Sequence, residues 1–149
     1  MRKLFFIGIS ALLLTSCGKS AESTQSHNDM NGGEEDSSTQ ALYESVMDIH
    51  DEVMPQMNDI YKLKKQLSEE IANSKDLVES RKRKLESLIF TLDSANNAMM
   101  NWMRNFQPPA DSLSLEDAHA YLEDQMEKIN GVKAAMLEAI ERAKQESVN

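Results

Sequence analysis

Apolar residues recur at steps of three and four along most of the chain, in three successive segments. This spacing places them on one side of an α-helix in each segment. Because the period is close to 3.5 residues, we predict three helices with left-handed, coiled-coil-like packing. The stripes are Leu42, Val46, Ile49, Val53, Met57, Ile60, Leu63 or Lys64, Leu67 and Ile71; then Leu85, Leu88, Leu92, Ala95, Met99, Trp102 and Phe106; then Leu115, Ala118, Leu122, Gln125 or Met126, Ile129, Val132, Met136, Ala139 or Ile140, and Ala143.

A proline-rich stretch separates the second stripe from the third. Two prolines lie within residues 107–111, and a residue that precedes proline is restricted to extended conformations, so a helix must end there. Ser114 is followed three residues later by Asp117, which is the spacing of a capping box with the shorter acid. The third helix is therefore predicted to begin near Leu115.

The break between the first and second stripes is softer. Residues 73–76 contain no glycine or proline, but Asn, Ser and Asp favour helix ends. Within a domain of residues 40–149 we predict an all-α, up-down-up three-helix bundle with helices at about 40–73, 77–106 and 115–147. The alternative is one helix from Gln40 to Phe106 that pairs with a second chain. In either case Pro55 should kink the first helix or cut it in two.

The N-terminus has the pattern of a secretory signal. Arg2 and Lys3 precede an apolar run from Leu4 to Leu14, which is too short to cross a bilayer as a stable helix. The next residues are Thr15, Ser16, Cys17 and Gly18. Together with Leu14 this sequence resembles a bacterial lipobox, so residues 1–16 are predicted to be a lipoprotein signal peptide.

The resemblance implies that Cys17 is alkylated with lipid, becomes the first residue after cleavage, and carries the protein on a membrane through several acyl chains such as palmitate. An alkylated thiol can neither form a disulfide nor act as a nucleophile. Gly18 stands where enterobacterial members retained at the inner membrane carry Asp, which implies passage to the outer membrane of the cell envelope. The side of that membrane on which the protein faces stays open.

From Gly18 to Thr39 the chain is rich in Ser, Thr, Asn, Gly and acidic residues. Such a segment buries too little apolar surface to offset the entropy of ordering. Residues 17–39 are therefore predicted to comprise the lipidated cysteine and a flexible, disordered acidic tether.

Composition and charge narrow the class of protein. Only 5% of the residues are aromatic, and there are five glycines and three prolines, which favours helices over a many-stranded sheet. The formal net charge is −9, so nucleic acid is not expected as a partner. A basic group at the first turn could contact an anionic polymer or an envelope protein, although solvated helix faces are the favoured interpretation. The group is Lys62, Lys64, Lys65, Arg81, Lys82, Arg83 and Lys84.

No arrangement of catalytic residues can be recognised, so we do not expect an enzyme, and the lipid on Cys17 is the only expected covalent group. One layer of possible ligands stands out by its position along the helices. It consists of His50, Met54, Met99 and Met126, whose imidazole and thioether groups suit Cu(I). Packing of methionines in a helical core is the favoured explanation.

A second metal hypothesis uses Glu116, His119 and Glu123. They have the Glu-x-x-His spacing of di-iron bundles. Those bundles draw two such pairs from four helices, whereas one pair and three helices are predicted here, so ordinary surface residues are the favoured explanation.

The whole chain also resembles small helical, coiled-coil-like lipoproteins of Bacteroidota envelopes. The resemblance lies in residues 47–67, which include His50-Asp51-Glu52-Val53-Met54-Pro55 and Lys62-Leu63-Lys64-Lys65. It implies no activity. The sequence therefore predicts a lipid-anchored envelope protein whose bundle is a binding or structural module, with a Met/His copper-binding lipoprotein as the alternative.

Overall fold

The computed structural model describes residues 32–147, and their side chains from residue 36 onward. This part of the chain forms four α-helices and no strand: α1 (Gly32–Val53), α2 (Gln56–Asn73), α3 (Glu79–Asn105) and α4 (Leu115–Ser147). The predicted signal peptide, Cys17 and residues 18–31 of the predicted tether lie outside the described residues.

The helices form an up-down-up bundle in which α1 and α2 together make the first of three arms. One end of the bundle contains the start of α3, the end of α2 and the end of α4. Arg81 of α3 forms ion pairs there with Glu70 of α2 and Glu146 of α4. The start of α1, the loop after α3 and the start of α4 meet at the other end, where Tyr43 and Leu115 line the same groove. The all-α, three-helix prediction is confirmed.

The first arm is cut at Pro55, as predicted. Proline has no amide hydrogen to donate, so the regular helical bonding is interrupted there. The amide of Met54 still donates to the carbonyl of His50 at 2.9 Å, and the next turn is tightened by a bond from Met57 N to Met54 O at 3.2 Å. The result is two helices, α1 and α2, in one arm.

The soft break after Asn73 is a real turn. Ser74 leaves the helix with extended backbone angles (φ −92°, ψ 98°), and Val78 is also extended just before α3. The chain then reverses direction. A continuous helix from Gln40 to Phe106, which the alternative arrangement requires, is therefore not formed.

The start of α4 has the serine half of the predicted capping box, and the Asp117 carboxylate bonds to the Ser114 hydroxyl. The hydroxyl oxygen of Ser114 accepts a hydrogen bond from the backbone amide of Asp117 at 3.1 Å, and the same hydroxyl donates to the Asp117 carboxylate at 2.6 Å. The cap satisfies an amide that has no partner within the helix.

One boundary differs from its prediction. The helix α1 begins at Gly32, so residues 32–39, predicted as the end of the tether, are helical. Thr39 is half-buried and lies beside Leu115 in a groove against α4, so tertiary packing extends the helix further than hydrophobic periodicity indicates.

The core lies along the axis of the bundle and is built from the predicted stripes. Gln125 is the only buried polar residue within the described part of the chain. No helix in that part is both long and apolar enough to span a membrane. The buried apolar residues are Val46, Val53, Ile60, Leu63, Leu67, Leu85, Leu88, Leu92, Ala95, Met99, Trp102, Ala118, Leu122, Ile129, Met136, Ala139, Ile140 and Ala143.

Candidate functional site

Aromatic rings collect at the end of the bundle where α1 and α4 begin. The rings of Trp102 and Phe106 stack one helical turn apart, with centroids separated by 4.8 Å and planes inclined by 23°. Tyr43 of α1 and Tyr121 of α4 also stack on Phe106, with ring centroids separated by 6.2 Å and 6.3 Å. Offset ring pairs of this kind add about 0.5–1.5 kcal/mol beyond the area that they bury. This aromatic cluster ties all three arms together.

The indole of Trp102 is buried but lacks a hydrogen-bond partner. The residue is 7% exposed, and its Nε1 is the one buried side-chain polar atom in the described residues without an acceptor or donor. A buried donor left in this state costs about 1–3 kcal/mol. An unsatisfied group in a native core calls for a structural or functional reason.

A groove of about 570 Å³ runs beside this indole, between α3 and α4. We call it the Trp102 groove; its wall is formed by Asn101, Trp102, Asn105, Tyr121, Gln125 and Val132. Asp124 and Lys128 complete the lining, and their side chains bond to each other at 2.5 Å. Apolar surface, amides and one neutralised ion pair thus meet in one concave site.

Several polar atoms in the Trp102 groove retain bonding capacity. The Tyr121 hydroxyl oxygen accepts a bond from the backbone amide of Gln107 at 3.1 Å, which leaves its own hydrogen to donate. The Asn101 side-chain oxygen is occupied by Arg104, and the Asn105 side-chain nitrogen donates to the Asn101 carbonyl at 2.7 Å. Their remaining amide atoms, Nδ2 of Asn101 and Oδ1 of Asn105, are a donor and an acceptor.

A second groove, of about 420 Å³, lies at the same end of the bundle between α1 and the loop after α3. Tyr43, Pro108, Pro109, Leu115 and Leu122 contribute to its lining. It contains no unsatisfied buried polar side chain of the kind found at Trp102. The Trp102 groove is therefore the stronger candidate site in the described part of the chain.

The structure places the four candidate copper ligands in or against the core. His50 Nδ1 bonds to Asp51 at 2.8 Å, and its ring lies 5.6 Å from the Trp102 ring. Met99 is fully buried, while Met54 and Met126 are half-buried and pack against the core. The imidazole of His50 therefore lies beside a carboxylate and an indole.

The other three candidate ligands lie on α4, and two of them, Glu116 and His119, line a groove shared with α1. Glu116 and Glu123 are exposed, and His119 lies 3.7 Å from Glu123 one turn away. No group of three or more His, Cys, Asp or Glu side chains in the described residues is arranged to hold a metal ion. The second pair that a di-iron site needs is not formed in this part of the chain.

Each basic residue of the predicted cationic group lies beside a carboxylate. Lys62, Lys65, Lys82 and Arg83 pair within their own helices with Asp59, Glu69, Glu86 and Glu79, at 3.7–4.0 Å. Lys64 crosses to Asp93 of α3. Exposed pairs of this type add little stability, but they reduce the charge that an anionic partner would meet.

The remaining two basic residues of that group form an ion-pair cluster with Glu70 and Glu146. Arg81 Nε donates to Glu70 at 3.0 Å, and both Arg81 and Lys84 bond to the Glu146 carboxylate. The hydrogen bond from Lys84 is the main cause that lowers the pKa of Glu146 below its ordinary value of 4.5. The charges of Lys84 and Arg81 add to this effect, while partial burial opposes it. The cluster fastens the end of α4 to the α2–α3 turn.

Replacing Glu146 with Gln should destabilise the protein at about pH 7 and should cost less at about pH 3. Because the folded-state pKa is depressed, this carboxylate contributes stability above its ordinary pKa of 4.5, and the contribution is lost as the pH falls through the folded-state value. Urea unfolding of wild type and Glu146→Gln at both pH values measures the difference. The matched control is Glu138→Gln, since Glu138 is exposed and its ion pair in the described part of the chain is with Arg142 of the same helix, at 3.8 Å. An equal loss at both pH values would contradict the assignment.

Cys17, the predicted lipidation site, lies outside the described residues, so its modification stays a prediction. Sequence reasoning did not single out the aromatic cluster or the Trp102 groove. Two features of the sequence could have pointed to this region. Gln125 is a polar residue at a stripe position, and Tyr121 directly precedes the buried Leu122.

Comparison with known proteins gives no match: no protein-family model fits the sequence, no curated protein is significantly similar to it, and no solved structure resembles the fold significantly.

Proposed function

We propose that this chain is a lipid-anchored protein of the bacterial cell envelope, on the outer membrane, whose three-helix bundle acts as a non-catalytic binding or structural module. The observation that carries the proposal is the lipobox-like sequence Leu14-Thr15-Ser16-Cys17-Gly18, which follows a positively charged and then apolar leader. Since α1 begins at Gly32, residues 18–31 would connect the lipid to the bundle, and they could extend over at most about 50 Å.

The bundle supports the binding side of the proposal through the chemistry of its candidate site. The Trp102 groove is lined by aromatic rings, amides and a neutralised ion pair, which are groups that recognise ligands by contact and hydrogen bonding. The groove lies near the end of the bundle from which the chain continues toward Cys17. A ligand held there would be retained close to the anchored end of the protein.

Replacing Cys17 with Ser should abolish lipid attachment. We expect wild-type protein to incorporate radioactive palmitate in cells and to enter the detergent-soluble membrane fraction. The Cys17→Ser protein should incorporate none, and should be released from membranes after cleavage or stay uncleaved, because a hydroxyl does not replace the thiol in the lipid transfer that the lipobox resemblance implies.

The matched control is Ser16→Ala, which keeps a small residue before the cysteine and should preserve labelling. A correctly cleaved Cys17→Ser protein that still required detergent for extraction would overturn the proposal. So would wild-type protein that takes up no palmitate while the leader is removed.

A further inference from the structure

Two methionines flank His50 on one face of α1. Met47 precedes it by three residues and Met54 follows it by four, and residues at these steps are neighbours on a helix surface, with about 5–6 Å between their Cβ atoms. The helical turn is kept as far as Met54, because its amide donates to the His50 carbonyl at 2.9 Å. Both methionines are half-buried. We call these three residues the Met–His group; one imidazole and two thioethers can converge there on a single point.

Hydrogen bonding leaves the imidazole of His50 with a free nitrogen lone pair. Its Nδ1 lies 2.8 Å from a carboxylate oxygen of Asp51, and since an ionised carboxylate can only accept, Nδ1 carries the hydrogen. In the neutral ring Nε2 is then the acceptor. Histidines that bind metals commonly have this arrangement, in which a carboxylate fixes the tautomer and orients the ring. The His50 side chain is 17% exposed, so it lies near the surface of the bundle.

The Met–His group lies on the side of α1 that faces α3. The ring of His50 lies 5.6 Å from the indole ring of Trp102 on α3. Glu52, two residues later and so about 200° around the helix, bonds instead to Lys133 of α4 at 2.6 Å. A cation bound to the imidazole would therefore lie close to an electron-rich indole, and indole rings attract cations.

We infer that the Met–His group binds one Cu(I) ion through Nε2 of His50 and the sulfur atoms of Met47 and Met54. Thioethers are soft ligands that select Cu(I), and imidazole also suits copper. Zn(II) prefers thiolate, imidazole and carboxylate ligands, so this donor set favours Cu(I) over Zn(II).

The proposed ligand set differs from the layer that helix positions alone suggest. His50 and Met54 belong to both sets. Met47 takes the place of Met99, which is fully buried, and of Met126, which lies on α4. None of the three proposed ligands lines the Trp102 groove. The inference adds a metal site to the proposed function, and it requires neither that groove nor the lipid anchor.

Competition for copper tests the inference. The full-length Cys17→Ser protein is kept in detergent, since it lacks the only thiol of the chain, which would itself bind Cu(I). Cu(I) is held reduced with ascorbate under nitrogen and titrated in competition with ferrozine, a chromophoric Cu(I) chelator. We expect the protein to take up one equivalent of copper, and the emission of Trp102, the only tryptophan, to fall in step with uptake. No uptake and no change in emission would overturn the inference.

Substitution of single methionines assigns the ligands. Met47→Leu and Met54→Leu should each weaken Cu(I) binding by about tenfold or more, because each removes one sulfur ligand, while leucine is close to methionine in size and preserves the packing. The matched control is Met126→Leu on α4, which should leave the affinity unchanged. Circular dichroism checks that each variant keeps the helix content of the parent protein.

Three results of these titrations would overturn the site. They are equal Cu(I) affinity in the parent protein and all three variants, a loss confined to Met126→Leu, and binding of Zn(II) as tight as that of Cu(I). Palmitate labelling of Cys17 is measured separately on protein that retains the cysteine, so failure of either proposal is recognised on its own.

Discussion

Trp102→Ala should lower the free energy of unfolding by about 3–5 kcal/mol, the range found for large aromatic residues removed from protein cores. Trp102 is 7% exposed, and its ring contacts Phe106 of its own helix and His50 of α1, so truncation opens a cavity between two arms. Urea unfolding followed by circular dichroism measures the loss, since the variant has no tryptophan. In wild type, the buried indole should emit at shorter wavelength than free tryptophan.

Two variants of different kinds accompany this measurement. Lys82→Ala removes an exposed side chain whose partner Glu86 lies 4.0 Å away on the same helix, so it should cost less than about 0.5 kcal/mol. Trp102→Phe keeps an aromatic ring while it removes the unpartnered N–H, so it should cost clearly less than Trp102→Ala. Equal losses for Trp102→Ala and Lys82→Ala would contradict the assignment of Trp102 to the core.

Periodicity predicted the elements that depend on local sequence. The stripe of α3 alternates between steps of three and four without a slip, and every member from Leu85 to Trp102 is buried. The proline-rich stop and the Ser114 cap are equally local, so the start of α4 was predicted correctly. Pro55 acts through its own missing amide hydrogen, and its effect could be predicted without knowledge of the fold.

The start of α1 could not be predicted in this way. Residues 32–39 carry little apolar periodicity, and their helix is supported by contact with α4, as seen where Thr39 lies beside Leu115. A contact between the first and third arms is a property of the assembled bundle. The helix propensity and the hydrophobic pattern of one segment therefore give no information about this contact.

The candidate site shows the same limit. Distance along a helix axis predicts that His50, Met99 and Met126 lie in one layer, and their grouping as metal ligands stays a prediction. Such distances do not give the rotation of each helix about its axis, so they could not predict which ring the imidazole of His50 would meet. In the fold His50 lies against Trp102, and Met99 is fully buried. Likewise, segment charges revealed the basic turn but not the pairing of Arg81 with Glu146 across the bundle.

Leu92→Ala should lower the free energy of unfolding by about 2–5 kcal/mol, whereas Phe90→Ala on the same helix should change it by less than about 0.5 kcal/mol. Leu92 is 0% exposed in the middle of the α3 stripe, and Phe90, two positions earlier, is 72% exposed. The larger side chain therefore contributes less, because the cost of truncation depends on the cavity that is left and not on the number of atoms removed.

Urea unfolding monitored by Trp102 fluorescence and by circular dichroism gives both values, and the two probes should report one transition. Since a domain of this size has about 5–15 kcal/mol of total stability, Leu92→Ala would remove a large part of it. A greater loss for Phe90→Ala than for Leu92→Ala would mean that α3 is rotated about its axis relative to the arrangement described above.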